Sequence, residues 1–235
     1  MTIDGSVTID MPRPYNGVLY RVSFIPDENC ESPREWDNVS TIYCWHNSYT
    51  LGDKHDYPSP SAFEEEHQGE VEQGKIFLRK LRAYEHGSIS LSMDNSYPYN
   101  DRWDSYDIGY IWCTLEKAAE EAGIELQPGD TIANCSPEIR EKVNRWFEGE
   151  LKTYNAWING NCWGWAVESV ALCGECGHEI VKTIDSCWGY IVDDNKQMDY
   201  IISEAVGSIA ADGDLSGEDR ETITNHIKGE LGWHM

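Results

Sequence analysis

Apolar and polar positions alternate along several stretches of the first half of the chain, and this period of two predicts β-strands. The predicted strands are residues 15–25, 41–46, 76–84, 88–93 and 107–113. A short polar link, Glu85-His86-Gly87, joins the third strand to the fourth and predicts a hairpin. The acidic residues 61–73 are expected to form a surface helix or a solvated loop.

Apolar positions three or four residues apart predict helices in the rest of the chain. These helices are residues 115–122, 136–154, 196–210 and 216–228. Ser136 can cap the second of them and Pro137 suits its first position, while Ser216 can cap the last. Strands and helices do not alternate as they do in parallel sheets. The predicted fold class is therefore α+β, with antiparallel hairpins packed against amphipathic helices.

The longest predicted hairpin joins residues 162–172 to residues 179–192. The first arm contains Cys-Trp-Gly-Trp and the second contains Cys-Trp-Gly-Tyr. If the chain folds back at Gly174-Glu175, Cys162 lies opposite Cys187.

The glycines of this hairpin, Gly164 and Gly189, lie inside its arms. A glycine inside a strand is costly unless a backbone or a large ring comes close. Each of the two is therefore expected to lie beneath an indole.

The length of 235 residues suits one large domain or two small ones. A soft boundary separates residues 1–125, which are rich in strands, from residues 126–235, which hold a helix, the long hairpin and the C-terminal helical segment. One compact domain is the alternative. The 40% hydrophobic content, with 10 Trp and 13 Tyr, is typical of a folded globular protein.

The chain has 42 acidic and 18 basic residues, a net charge of −24, and most of the excess lies in residues 1–74 and 193–235. Such a charge repels nucleic acids and anionic membranes and attracts basic surfaces, so neither direct nucleic-acid binding nor membrane binding is expected. The first residues, MTIDGSVTIDMPRP, lack the apolar centre of a secretory signal. We therefore expect a cytoplasmic protein whose eight cysteines are reduced.

Three stretches rich in aromatic residues, Cys and His carry a resemblance to known proteins. They are Trp36-Asp37-Asn38-Val39 with Cys44-Trp45-His46, then Leu51-Gly52-Asp53-Lys54-His55, and Asp185-Ser186-Cys187-Trp188-Gly189. With Trp103 and residues 107–111 they resemble, over residues 15–192, a family of small acidic proteins carried by phages and mobile elements. The resemblance implies a genetic setting in a host cell and no particular chemistry. Residues 173–178 and the segment after Asp194 depart from the family pattern.

Cys173, Cys176 and His178 have the spacing and the intervening glycines of a zinc-binding turn, and they are the predicted metal ligands. A structural zinc site takes four ligands, and no second Cys-x-x-Cys is present. The missing ligand would come from another subunit or from Cys44, His46 or His55. Without it, this segment is a glycine-rich turn with two reduced thiols.

Two other groups of residues have a simpler structural explanation. Residues 212–217 begin like a calcium loop, but the twelfth position is Ile223 where the loop requires a bidentate Glu, so a capped linker between helices is expected. Cys44, His46 and His55 offer a thiol and two imidazoles, but no third group that would orient a base is evident. A buried thiol beside surface histidines is the alternative.

The charge and the resemblance together predict a phage counter-defence protein, such as an anti-restriction or anti-CRISPR inhibitor, that is not an enzyme. Its carboxylates would mimic DNA phosphates and occupy the Lys/Arg channel of a host nucleic-acid-binding defence protein. The candidate contacts are Glu64, Glu65, Glu66, Glu70, Glu72, Asp193, Asp194, Asp199, Asp212, Asp214, Glu218, Asp219 and Glu221. Two alternatives stay open: a zinc-stapled structural or regulatory phage protein, and an enzyme that depends on Cys44, His46 and His55. With any of these functions, the sequence is compatible with a homo-oligomer.

Overall fold

The structure, a computed structural model, describes residues 5–93 and 105–232, so that Trp103 lies outside the described residues. The chain forms two compact units: unit 1 is Met1–Glu31 with Gly160–Met235, and unit 2 is Ser32–Asn159. Each unit has its own sheet and its own core. The predicted boundary at residues 125 and 126 falls inside unit 2, because the chain returns after residue 159 to complete the sheet that its first strands began.

The described residues contain eight strands and five α-helices. The strands are β1 (Val7–Asp10), β2 (Leu19–Pro26), β3 (Thr41–Cys44), β4 (Ile76–Glu85), β5 (Ile89–Met93), β6 (Ser105–Thr114), β7 (Cys162–Leu172) and β8 (Glu179–Ile191). The helices are α1 (Pro60–Glu72), α2 (Leu115–Ala122), α3 (Pro137–Ile158), α4 (Asn195–Gly213) and α5 (Gly217–Glu230). All strand pairs are antiparallel, so the predicted α+β class is confirmed.

Unit 1 is a four-stranded sheet in the order β1-β2-β7-β8, with α4 and α5 packed on one face. Leu19 pairs with Val170 and Pro26 with Trp163, so the beginning of the chain and its C-terminal part share one sheet. Its core is formed by buried residues of both helices and the inner strands, including Tyr20, Val22, Phe24, Val167, Ile201, Ile209 and Ile223.

The register of the β7–β8 hairpin differs from the prediction. Cys162 pairs with Ile191, so the predicted pairing of Cys162 with Cys187 is wrong. Half of the four-residue displacement comes from the turn, in which the N–H of Cys173 donates to the carbonyl of His178. The other half comes from two β-bulges, because β8 has 13 residues where β7 has 11.

One of these bulges gives the two glycines different roles. A Cβ on Gly164 would lie 2.2 Å from a ring atom of Trp188, so Gly164 does lie beneath an indole, as predicted. Gly189 is in the bulge at φ +84°, with nothing within 4 Å of a Cβ. The prediction is therefore wrong for Gly189, which is needed for its backbone conformation and not for the approach of a ring.

Unit 2 is a second four-stranded sheet, in the order β3-β6-β4-β5. Helices α2 and α3 cover one face, and the core there includes Ile42, Leu81, Ile108, Ile111, Leu115, Ile139, Val143 and Phe147. Successive side chains of a strand point to opposite faces, so Tyr43 on β3 and Tyr110 on β6 lie on the other face. Helix α1 packs on that second face through Phe63.

Each predicted strand and helix has a counterpart in the structure, with the ends displaced by a few residues. The prediction missed β1, and residues 61–73 fall largely within a helix, α1, where a loop was the alternative. Within residues 5–93 and 105–232, none of the helices combines the length and the apolar character that crossing a membrane requires.

Candidate functional site

Helix α1 presents five glutamates to solvent. It begins where the Ser59 hydroxyl accepts the N–H of Ala62 at 3.2 Å, with Pro60 in the first helical position. Its exposed acidic residues are Glu64, Glu65, Glu66, Glu70 and Glu72, and no Lys or Arg lies in residues 60–73. Phe63 is the buried residue of this helix.

Rings of α1 and of the segments that it covers form a group that we call the aromatic cluster: Tyr43, Trp45, His55, Tyr57, Phe63, His67, Tyr110 and Trp112. Phe63 is 0% exposed; its ring stacks on that of Tyr110, with centroids 5.4 Å apart, and meets the Tyr57 ring edge-on at 5.3 Å. Such pairs add about 0.5–1.5 kcal/mol to the burial of apolar area. The aromatic cluster therefore attaches an otherwise polar helix to the sheet.

Two tyrosines of the aromatic cluster hold glutamates of α1 in place. The hydroxyl of Tyr57 donates to Glu66 Oε1 at 3.0 Å, and the hydroxyl of Tyr110 donates to Glu64. Burial, together with the hydrogen bond to Glu64 and its charge, raises the pKa of Tyr110 above its ordinary value. These phenols thus stay protonated at neutral pH and remain hydrogen-bond donors to the carboxylates.

Neighbours on α1 itself hold two further glutamates. Glu70 Oε2 is 2.7 Å from His67 Nδ1, and Glu72 accepts a hydrogen bond of 2.8 Å from Gln68. Glu65 is exposed. All five predicted contacts of the first acidic segment therefore lie on one helix, and four of them accept a hydrogen bond that restricts their rotamers.

The predicted contacts of the second acidic segment lie in unit 1 and divide into two sets. Four of them support the fold: Asp194 caps α4, Asp199 is 2.7 Å from Lys228, Asp212 accepts the hydroxyl of Tyr20 at 2.7 Å, and Asp219 is 2.8 Å from Arg13. Asp193 is half-buried, and Asp214, Glu218 and Glu221 are exposed. Four of the eight predicted carboxylates of this segment therefore already stabilise the fold.

A buried ion-pair network in unit 2 is the feature that the sequence did not reveal. The Arg34 guanidinium, whose side chain is 5% exposed, donates to both carboxylate oxygens of Asp53 at 3.0 and 2.8 Å and to Glu150 at 3.2 Å. Glu150 also accepts the N–H of Val39 at 2.8 Å. The network joins α3 to the segments before and after β3. Asp53 belongs to one of the resembling motifs, but no local pattern connects it to Arg34 or Glu150.

Cys44, His46 and His55 border an open hollow of about 550 Å³ in unit 2. Burial raises the pKa of the Cys44 thiol to about 12, the opposite of what a thiolate nucleophile requires. His55 Nε2 is 3.1 Å from the backbone carbonyl of Cys44, and His46 Nδ1 accepts the N–H groups of Ser48 and Tyr49 at 3.0 Å. Both imidazoles are therefore engaged by the backbone and not by the thiol.

The turn between β7 and β8 contains two of the predicted metal ligands, Cys173 and Cys176, and the third, His178, is not grouped with them. The N–H groups of Cys176 and Glu175 donate to the Cys173 sulfur, as does the Cys176 thiol, and these bonds lower the pKa of Cys173. In residues 5–93 and 105–232, no three His, Cys, Asp or Glu side chains are grouped so that they could hold a metal ion. The predicted three-ligand set is thus not assembled; His178 lies just before the second arm, and its backbone carbonyl accepts the N–H of Cys173.

The segment that begins like a calcium loop is a helix linker, as predicted. Asp212 and Gly213 are the last residues of α4, and Asp214 follows at φ +46°. Ser216 then caps α5 by accepting the N–H of Asp219 at 3.2 Å.

Comparison of the chain with protein-family models, with curated proteins and with solved structures gives no match. The resemblance to phage and mobile-element proteins therefore stays a prediction. The function has to be inferred from the exposed chemistry of the two units.

Proposed function

We propose that this protein binds a host nucleic-acid-binding defence protein through α1 and inhibits it by occupying its DNA-binding surface. The observation that carries the proposal is the linear charge density of α1. From Glu64 to Glu72 the helix rises about 12 Å at roughly 1.5 Å per residue. Five carboxylates over this length amount to one charge about every 3 Å, and one strand of B-DNA carries one about every 3.4 Å.

The hydrogen bonds from the aromatic cluster favour this role because they order the carboxylates before binding. Ordering a flexible side chain at an interface costs about 0.5–1.5 kcal/mol, and a preorganised surface avoids part of that cost. A carboxylate offers about four acceptor positions. Glu64 and Glu66 can therefore keep their tyrosine partners and still accept an Arg or Lys of the bound protein.

Salt screening favours a local surface over the total charge of −24. At physiological ionic strength, charges separated by more than about 8 Å are largely screened. A partner thus responds mainly to the carboxylates that it touches. The resemblance to phage proteins supplies the setting of the proposal, in which the partner is a restriction or CRISPR nuclease in the host cytoplasm.

The proposal is tested by capturing partners from bacterial lysate on the tagged protein at low salt. Bound proteins are eluted first with a salt gradient and then, in a parallel sample, with competitor duplex DNA. We expect DNA to release a defined nuclease, restriction or CRISPR component. Recovery of abundant basic proteins alone, released by modest salt, would contradict the proposal.

Two variants with equal charge change locate the contact surface. One carries Glu→Gln at Glu65, Glu70 and Glu72 on α1, and the other carries Glu→Gln at the exposed Glu120, Glu121 and Glu125 in the same unit. Exposed ion pairs contribute about 0.2–1 kcal/mol each. We therefore expect the first variant to bind the released partner about 3-fold to 150-fold more weakly and the second to bind it normally. Equal losses in both variants would assign the attraction to overall charge.

A further inference from the structure

The tip of the β7–β8 hairpin is a turn that contains Cys173 and Cys176 and is closed by backbone hydrogen bonds. The N–H of Cys173 donates to the carbonyl of His178 at 2.8 Å, and the N–H of Gly177 donates to the carbonyl of Cys173 at 2.9 Å. Cys173 and Cys176 are thus three residues apart in a closed turn, and this is a spacing at which zinc sites hold two of their ligands.

One chain offers two candidate zinc ligands at this position, Cys173 and Cys176. Structural zinc takes four ligands in a tetrahedron, often four cysteines. The described residues contain no third His, Cys, Asp or Glu grouped with Cys173 and Cys176. Two identical turns would supply four thiolates, which matches the number and the geometry that zinc requires.

The surroundings of the turn are suited to contact with a second molecule. Cys176 is exposed and Cys173 is half-buried. Three apolar side chains next to the turn are also exposed: Leu172 by 70%, Ile180 by 57% and Val181 by 41%. The strand register places Leu172 and Val181 on one face of the hairpin, and exposed apolar side chains that lie together mark interaction sites more often than scattered ones do.

We propose that two copies of this chain share one Zn²⁺, each contributing Cys173 and Cys176, in a symmetric dimer joined at the hairpin tips. A twofold interface uses the same surface patch on both copies, so one turn is sufficient to build the whole site. The four thiols release their protons to solvent as the metal binds. Leu172 and Val181, which share one face of the hairpin, then pack at the interface and lose their exposure. This inference does not depend on the function proposed for α1.

The test combines zinc analysis with the molar mass of the full-length chain in solution, in the presence of a phosphine reductant that keeps the thiols reduced. We expect one zinc for every two chains and twice the mass of a single chain. A zinc chelator should convert the dimer to monomer, and added zinc should restore it. Higher salt should favour the dimer, because each copy carries a net charge of −24.

Two cysteine variants complete the test. Cys176→Ser should lose zinc and be monomeric, while Cys187→Ser, which changes another exposed cysteine of the hairpin, should keep both zinc and dimer. Because Cys176 is exposed, the melting temperature of the monomeric apo form should not change. One zinc per monomer, absence of zinc from the reduced protein, or a dimer that persists in the Cys176→Ser variant would each overturn the proposal.

Discussion

Truncation of Phe63 to Ala tests whether the aromatic cluster holds α1 to the sheet. Phe63 is 0% exposed and is the buried residue of a 13-residue helix. Removing a buried Phe side chain costs about 3–5 kcal/mol. Isolated helices shorter than about 12–15 residues are marginal in water, so a helix that loses this contact is expected to detach and unfold locally.

Phe63→Ala should destabilise α1 more than it destabilises the rest of unit 2. Local detachment limits the loss of global stability to the free energy that held α1 in place, because the α2–α3 core remains packed. Amide exchange in α1 reports the local change directly. A loss of about 3 kcal/mol in the opening free energy speeds exchange by roughly 150-fold, since each 1.4 kcal/mol is a factor of ten.

Hydrogen exchange followed by mass spectrometry separates these outcomes. We expect α1 peptides of Phe63→Ala to exchange rapidly and α3 peptides to exchange as in the parent protein. Val71→Ala is the matched control, because Val71 lies on the same helix but is 42% exposed. Parental protection of α1 in Phe63→Ala would refute the anchoring role. All five glutamates remain in this variant, so weaker partner binding by it would show that their ordering contributes beyond their charge.

Three further predictions concern the two cores. Arg34→Met leaves two carboxylates without their buried cation, and we expect urea unfolding to show a loss of about 3–5 kcal/mol, whereas a loss near zero would contradict the role of the network. Gly164→Ala forces the Trp188 ring to move and should cost about 1–3 kcal/mol, a penalty that should disappear in a Trp188→Ala background if the indole is its cause. Burial and the hydrogen bond to Asp212 raise the pKa of Tyr20 from 10.0 to about 12. The stabilisation linked to this raised pKa is therefore complete below pH 10, and it is lost as the pH rises through 12, by about 2.7 kcal/mol in full. Tyr20→Phe should reduce that alkaline loss, and an unchanged pH profile of unfolding would refute the assignment.

Short-range signals account for most of what could be predicted. The N-cap and proline at Ser136 and Pro137 define the start of α3 without reference to the rest of the chain. The hairpin register depends instead on distant contacts. Gly189 in the bulge donates its N–H to Asp27 at 3.0 Å, and these two residues are 162 positions apart. The pattern of residues within the hairpin does not indicate that Asp27 will bind Gly189, so the bulge could not be predicted.

The same distinction applies to the candidate surface. The run of glutamates after Phe63 is visible in the sequence, and its helical state was one of two expected outcomes. The phenols of Tyr57 and Tyr110 that order Glu66 and Glu64 were not predictable, because they come from a loop and from another strand. Such contacts follow from how sheet and helix pack, which single-sequence periodicity does not report.

The discontinuous path of unit 1 has a consequence during synthesis. Strand β2 cannot find its partner until β7 has been made, because Leu19 pairs with Val170. At about 5–20 residues per second, translation of the intervening 150 or so residues takes roughly 8–30 s. Unit 2 is continuous from Ser32 to Asn159 and has its own core, so it can fold within that interval. Helix α1 and its glutamates can therefore be in place while the chain is still attached to the ribosome.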